Sequence, residues 1–174
     1  MNINTKTFVI SDWHFGHKSI AEFAHRPANH EELIVQYCNE AVKRDDTLLF
    51  LGDLTFVNKQ KTAFFTQRLQ CAHKFIVYGN HDNRTDTFYR ELGFTPVFPL
   101  FCEENNLLLT HEPVIKLPDG LVNIHGHIHR GDHREYNLTP NHINVSCEVL
   151  DFRPVTIGEL LERHYGKNER GSVS

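Results

Sequence analysis

FIVYGNHD, Phe75 to Asp82, is the stretch on which the reading of this chain turns. Phe75-Ile76-Val77-Tyr78 is an apolar run without a polar break, as in a strand buried on both faces. It stops at Gly79, and Asn80, His81 and Asp82 follow: three side chains able to ligate metal or carry a proton. The same join recurs in both directions. Upstream, Phe8-Val9-Ile10 runs into Ser11-Asp12-Trp13-His14, and Leu48-Leu49-Phe50-Leu51 into Gly52-Asp53. Downstream, Leu107-Leu108-Leu109 runs into Thr110-His111, and Leu121-Val122-Asn123-Ile124 into His125-Gly126-His127-Ile128-His129. Ile143-Asn144-Val145 is a sixth short run.

Helical patterns separate several of these runs. Residues 29–44 place Leu33, Ile34, Tyr37, Cys38 and Ala41 on one face, with Asn29 and Glu32 as N-cap and N3 partner. Residues 59–69 form a second pattern, with Asn58 as its cap. Residues 86–92 form a third, closed by Gly93. Residues 156–165 form a fourth, with Thr156 and Glu159 as a capping box and Gly166 closing it. Alternation of this kind predicts a layered α/β domain. One domain is expected over residues 1–166, with the polar stretch 167–174 as a frayed tail.

The 174 residues are 40% apolar and 23% charged, ordinary globular usage that excludes a wholly disordered chain. The net charge of −4 argues against a broad basic surface for duplex DNA. Cys38, Cys71, Cys102 and Cys147 form no CxxC pair, and the first residues hold no apolar segment of signal-peptide length. No stretch approaches the roughly 20 apolar residues of a membrane span. A cytoplasmic protein with reduced thiols and no membrane partner is the expectation. The 13 histidines are scattered from His14 to His164, so they are not a tag.

Open α/β sheets bind ligands beyond the carboxyl ends of their strands, so five polar clusters at five such ends are expected to converge. Asp12 and His14 are two residues apart, as are His127 and His129; on an extended chain each pair faces one way. Seven donors result: Asp12, His14, Asp53, Asn80, His111, His127 and His129. That is too many for one four-coordinate ion and about right for two. The mix of imidazole, carboxylate and amide oxygen suits manganese, iron, zinc or nickel. Asp53, central in the order and preceded by Gly52, is the candidate bridge. His17, His25, Arg26, His30, Arg84, Arg130 and His133 flank these clusters, where an arginine is able to hold a second phosphate. Trp13, Phe15 and Phe56 also sit beside the motifs, with packing under the site favoured over stacking on a base.

The order DxH, GD, GNHD, H, GHxH resembles the calcineurin-like metallophosphoesterases, from Phe8 to about Val155. Among them the chain looks most similar to small single-domain phosphoesterases of bacteria and their phages, a likeness that SDWHFGH and NVSCEVLDFRPV strengthen. The resemblance implies a four-layer α-β-β-α sandwich of two mixed β-sheets flanked by helices. It implies one metal on Asp12, His14, Asp53 and His129 and another on Asp53, Asn80, His111 and His127. It gives His81 the substrate phosphate and the proton for the leaving oxygen, with Asp82 orienting its ring. It points to His17 and Arg26 as substrate-binding residues, and Arg84 joins them by position. The expected activity is metal-dependent phosphoester hydrolysis, a phosphodiesterase first, on a small, nucleotide-type or short oligonucleotide substrate. Two divalent ions, manganese before iron, zinc or nickel, would share the hydroxide for in-line attack on phosphorus. The alternatives are a phosphomonoesterase and a binding scaffold that keeps the fold without chemistry. Oligomeric state, a homodimer included, stays open.

Overall fold

The computed structural model describes residues 3–130 and 136–171, the side chains of residues 104 and 167–171 excepted; His133 lies outside the described residues. In chain order the strands are β1 (Phe8–Ile10), β2 (Thr47–Phe50), β3 (His73–Val77), β4 (Phe94–Val97), β5 (Leu100–Cys102), β6 (Leu107–Leu109), β7 (Val122–His125), β8 (His142–Asn144) and β9 (Val155–Thr156). The helices are α1 (Ile20–Phe23), α2 (His30–Ala41), α3 (Lys59–Thr66), α4 (Asp86–Glu91) and α5 (Ile157–Gly171). One sheet has the order β4-β3-β2-β1-β9, parallel except for the antiparallel β1–β9 pair. The other has the order β5-β6-β7-β8, with β5 antiparallel to β6 and the rest parallel. These are two mixed sheets flanked by helices.

The apolar runs explain the layering. In Leu48-Leu49-Phe50-Leu51, Leu48 and Phe50 face one way and Leu49 and Leu51 the other, since side chains alternate along a strand. Leu48 and Phe50 pack with Ile34, Val35 and Cys38 of α2 and with Phe94. Leu49 and Leu51 pack with Leu107, Leu109, Val122 and Ile124 of the second sheet. Burial on both faces is why these runs show no polar alternation. Ile157, Leu160 and Leu161 of α5 join the core between the sheets. The sheets also meet through a parallel bridge between Ser11 and Ser146, with Ser11 N–H donating to Val145 O at 3.0 Å and Cys147 N–H to Ser11 O at 3.1 Å.

Several local expectations change. Asn29 precedes α2 but makes no capping bond with its side chain. The box at α5 is formed, yet the helix runs through Gly166 to Gly171. The sequence reading did not foresee α1, β4, β5 or β9, each of four residues or fewer. β4 carries Pro96, ordinarily a sign against a strand. It is tolerated because β4 is the sheet's edge, where no outer partner needs the missing N–H. All four cysteines are free. Among the described residues no helix is long and apolar enough to cross a membrane.

Candidate metal centre

The strand ends deliver their side chains to one place. His14 Nε2 lies 3.2 Å from His129 Nε2 and 3.6 Å from Asp12 Oδ1, which is itself 4.0 Å from His129 Nε2. Beside this group, Asn80 Oδ1, His111 Nε2 and His127 Nδ1 lie 2.9 to 3.3 Å from one another. Asp53 Oδ2 stands between the groups, 3.6 Å from His14 Nε2 and 3.5 Å from His111 Nε2. All seven sequence-predicted residues therefore lie together, in two groups with Asp53 between them.

Local backbone geometry is not what residue spacing alone suggests. Asp12 and His14 are not on extended chain. Their φ angles are +58° and +52°, and Asp53, His127 and His129 have +62°, +71° and +52°. Five left-handed residues that are not glycine mark a strained turn system, at a cost of order 1–3 kcal/mol each that surrounding structure must offset. Two glycines permit the turns to touch. A Cβ on Gly79 would fall 2.2 Å from Asp53 Oδ1, and one on Gly126 would fall 2.2 Å from Ser11 Oγ and 2.5 Å from Asp12 Oδ2.

Several donors are aimed by a neighbour, though His14 is not, its Nδ1 having no hydrogen-bond partner among the described residues. Asp12 is fully buried; its Oδ2 accepts Ser11 Oγ–H at 2.5 Å and His127 N–H at 3.0 Å. That leaves Oδ1 buried and without a partner among the described residues, turned toward the histidines. Asp53 Oδ1 accepts the His81 N–H at 2.9 Å, which frees Oδ2 for the centre. His111 Nδ1 lies 2.7 Å from the Leu51 carbonyl oxygen, so that nitrogen donates and Nε2 faces inward. His127 Nε2 lies 2.8 Å from the Tyr136 hydroxyl.

Burial disfavours charge on all these groups, but the mutual contacts outweigh it in several. The histidines around Asp12, His14 foremost, hold its carboxyl well below the usual carboxylate range. Asp53 is likewise held down, chiefly by His111, whose own pKa rises to about 9 beside Asp53 and Asp12. The carboxylates thus demand positive charge in the pocket. Two pairs of imidazole nitrogens also face each other at 3.2 and 3.3 Å, a contact that a cation beside them would reconcile. An orphaned buried carboxylate oxygen and a nitrogen–oxygen donor set fit divalent transition ions.

Glu148 is the residue that sequence reasoning missed. Its Oε1 lies 2.5 Å from His129 Nδ1, and its Oε2 accepts from Arg26 at 2.7 Å. A carboxylate behind a ligating histidine fixes the tautomer and the ring. Burial opposes both charges, but Glu148 falls below and His129 rises above its ordinary pKa because each partner holds the other ionised. The available signal was a single charged residue inside the otherwise uncharged stretch NVSCEVL.

Two expectations need correction. Arg26 is not on the site's rim. Its buried guanidinium donates to the Asp12 and Trp13 carbonyls at 2.7 and 2.9 Å and to Glu148, bracing the turn that carries Asp12. Asp82 does not spend its carboxylate on the His81 ring. It accepts the N–H groups of Asp53, Gly79 and Leu54 at 2.6, 2.9 and 3.1 Å and the Tyr89 hydroxyl at 3.1 Å. It ties the GNHD turn to the GD turn. His81 is exposed at the mouth, its ring 5.8 Å from that of His14. His17 is half-buried, its ring 5.8 Å from that of His14. Arg84 is exposed, with its guanidinium 5.9 Å from the Phe88 ring centre. His25 is exposed, while His30 is buried with Nδ1 3.0 Å from the Pro27 carbonyl oxygen. Arg130 bonds the Glu148 carbonyl and pairs with Asp151 at 3.0 Å.

Comparison with known proteins agrees with this fold. A family profile described as calcineurin-like phosphoesterase matches residues 5–169. An uncharacterized protein of Methanocaldococcus jannaschii is 32% identical over 169 residues, covering 90% of each chain. A crystal structure of an Aquifex aeolicus protein of unknown function superposes with a TM-score of 0.69 at 24% identity, over 91% of this chain and 99% of that one. The crystal structure of the Pseudomonas putida nuclease MPE superposes with a TM-score of 0.51 at 19% identity, over 72% and 62%. At these identities the two structures show the shared fold.

Proposed function

This chain belongs to the calcineurin-like phosphoesterase family, hydrolases of phosphoesters, and from that premise we propose that it is a phosphodiesterase working with two divalent cations, manganese first. Asp12, His14, Asp53 and His129 would hold one cation, and Asp53, Asn80, His111 and His127 the other. The observation that carries the reading is the place of Asp53 Oδ2, within 3.6 Å of a histidine nitrogen from each donor set. Bound cations supply charge neutralisation for phosphoryl oxygens and acidify water toward neutral pH.

The chain's own residues supply the rest. The two donor sets fix where a phosphate docks, and positioning is most of what phosphoryl transfer requires. His81, at the open mouth and tethered through its N–H to Asp53, is placed to protonate the departing alkoxide. Such a proton is worth about 10²–10⁴ in rate, and it matters most for a poor alkoxide leaving group. That requirement favours diesters.

The test is hydrolysis of bis-p-nitrophenyl phosphate by EDTA-stripped protein with and without Mn²⁺, with Asp53→Asn and His81→Ala beside it. Mn²⁺ is expected to restore a rate that Asp53→Asn lacks. His81→Ala should lower turnover while two equivalents of metal stay bound. No rate on the diester in any sample would overturn the reading. A faster rate on p-nitrophenyl phosphate would turn it into a phosphomonoesterase.

A further inference from the structure

We infer that Phe56 is the stacking platform for a nucleobase on the leaving half of the substrate, an inference that rests on the phosphodiesterase reading above. Three aromatic residues adjoin the metal motifs, and the structure separates them. Trp13 and Phe15 are fully buried, with Phe15 stacked on Phe65 at 4.5 Å. Phe56 is 39% exposed. Its ring centre lies 5.3 Å from that of His14, 4.8 Å from His81 and 4.4 Å from His17.

Single exposed aromatic residues are common on protein surfaces. This one stands at the mouth of a charged site on an anchored backbone. Its N–H donates to Phe15 O at 2.9 Å. The preceding Thr55 hydroxyl lies 3.2 Å from the same carbonyl oxygen and 2.9 Å from the Thr62 hydroxyl on α3. A phenyl ring offers phosphate and metal nothing; it packs on the His14, His17 and His81 rings, and its exposed part is open to another flat apolar surface. An anchored backbone loses little freedom on making that contact.

Its neighbours say which half of the substrate it meets. Phe56 borders His81, the residue assigned to the leaving oxygen. A base carried by the departing nucleoside would therefore reach it. Phe23, 69% exposed and edge-on to His129 at 5.6 Å, stands beside a different residue and serves as the control.

The experiment uses Mn²⁺-loaded protein and three substrates: a thymidine dinucleotide and its two analogues lacking one base or the other. Product identity shows which nucleoside leaves, and kcat/KM is compared across the three. Losing the base of the leaving half should cost the wild type roughly ten- to a hundredfold, the range for base–aromatic stacking. Phe56→Leu should suffer a similar loss on the full dinucleotide and become indifferent to that base. Phe23→Leu should keep the wild-type ratio. The inference is overturned if Phe56→Leu keeps the ratio, if the ratio follows the retained half or moves with Phe23→Leu, or if bis-p-nitrophenyl phosphate is cut and the dinucleotide is not. If no diester is cut, the phosphodiesterase reading itself falls, and the base site with it.

Discussion

His129 meets the centre through one nitrogen because Glu148 occupies the other, and Arg26 in turn neutralises Glu148. Glu148 belongs to neither donor set; it reaches the centre only through the His129 ring. Glu148→Gln keeps the shape but removes the charge that fixes the ring. Mn²⁺ affinity, measured by titration calorimetry, should fall about 10- to 100-fold. An unchanged affinity would show that the ring is held by packing alone. Asp82 teaches a related point. Its identity and place in GNHD are plain in the sequence, yet its work is to accept N–H groups from two separate turns. A motif names which residues matter; the contacts it makes with distant chain assign the task.

Helix caps were partly legible because they are local. Thr156 Oγ1 accepts the Glu159 N–H at 3.1 Å, and Glu159 Oε2 accepts the Thr156 N–H at 2.8 Å, the reciprocal box expected from spacing. Asn58 Oδ1 likewise accepts the Lys61 N–H at 3.0 Å. Asn29 fails because its ψ of +20° departs from the extended backbone that aims a capping side chain at N3. Thr156→Ala should therefore lower stability by about 1 kcal/mol in urea unfolding, while Asn29→Ala should change it far less. Equal losses would contradict the geometry. The strands divide in the same way. Unbroken apolar runs announce β1, β2 and β3, whereas β9 is two residues held by pairing with β1, a partner almost 150 positions away in sequence.

The second sheet's outer face carries a buried polar group of wide consequence. His125 is fully buried on β7; its Nδ1 lies 2.9 Å from Gly126 O, and its Nε2 has no partner among the described residues. Burial, aided by His142 and His111 and opposed by Asp12, lowers its pKa to about 4 from an ordinary 6.5. Between those values the unfolded chain binds a proton that the folded chain refuses. Stability from this group is complete above pH 6.5 and is lost as pH falls toward 4, by on the order of 3 kcal/mol. Urea midpoints from pH 7.5 to 4 should fall less steeply in His125→Gln than in wild type; parallel slopes would contradict this. From the chain alone came the α/β class, the order of strand-end clusters, the seven donors and Asp53 as their centre. Periodicity and residue chemistry are local properties, and convergence at strand ends is a general consequence of parallel sheets. The left-handed turns at Asp12, His14, Asp53, His127 and His129, the Glu148–Arg26 support and the exposure of Phe56, against the packing expected of it, came from the folded packing. Each depends on which distant segments press together, and no window along the chain contains both partners.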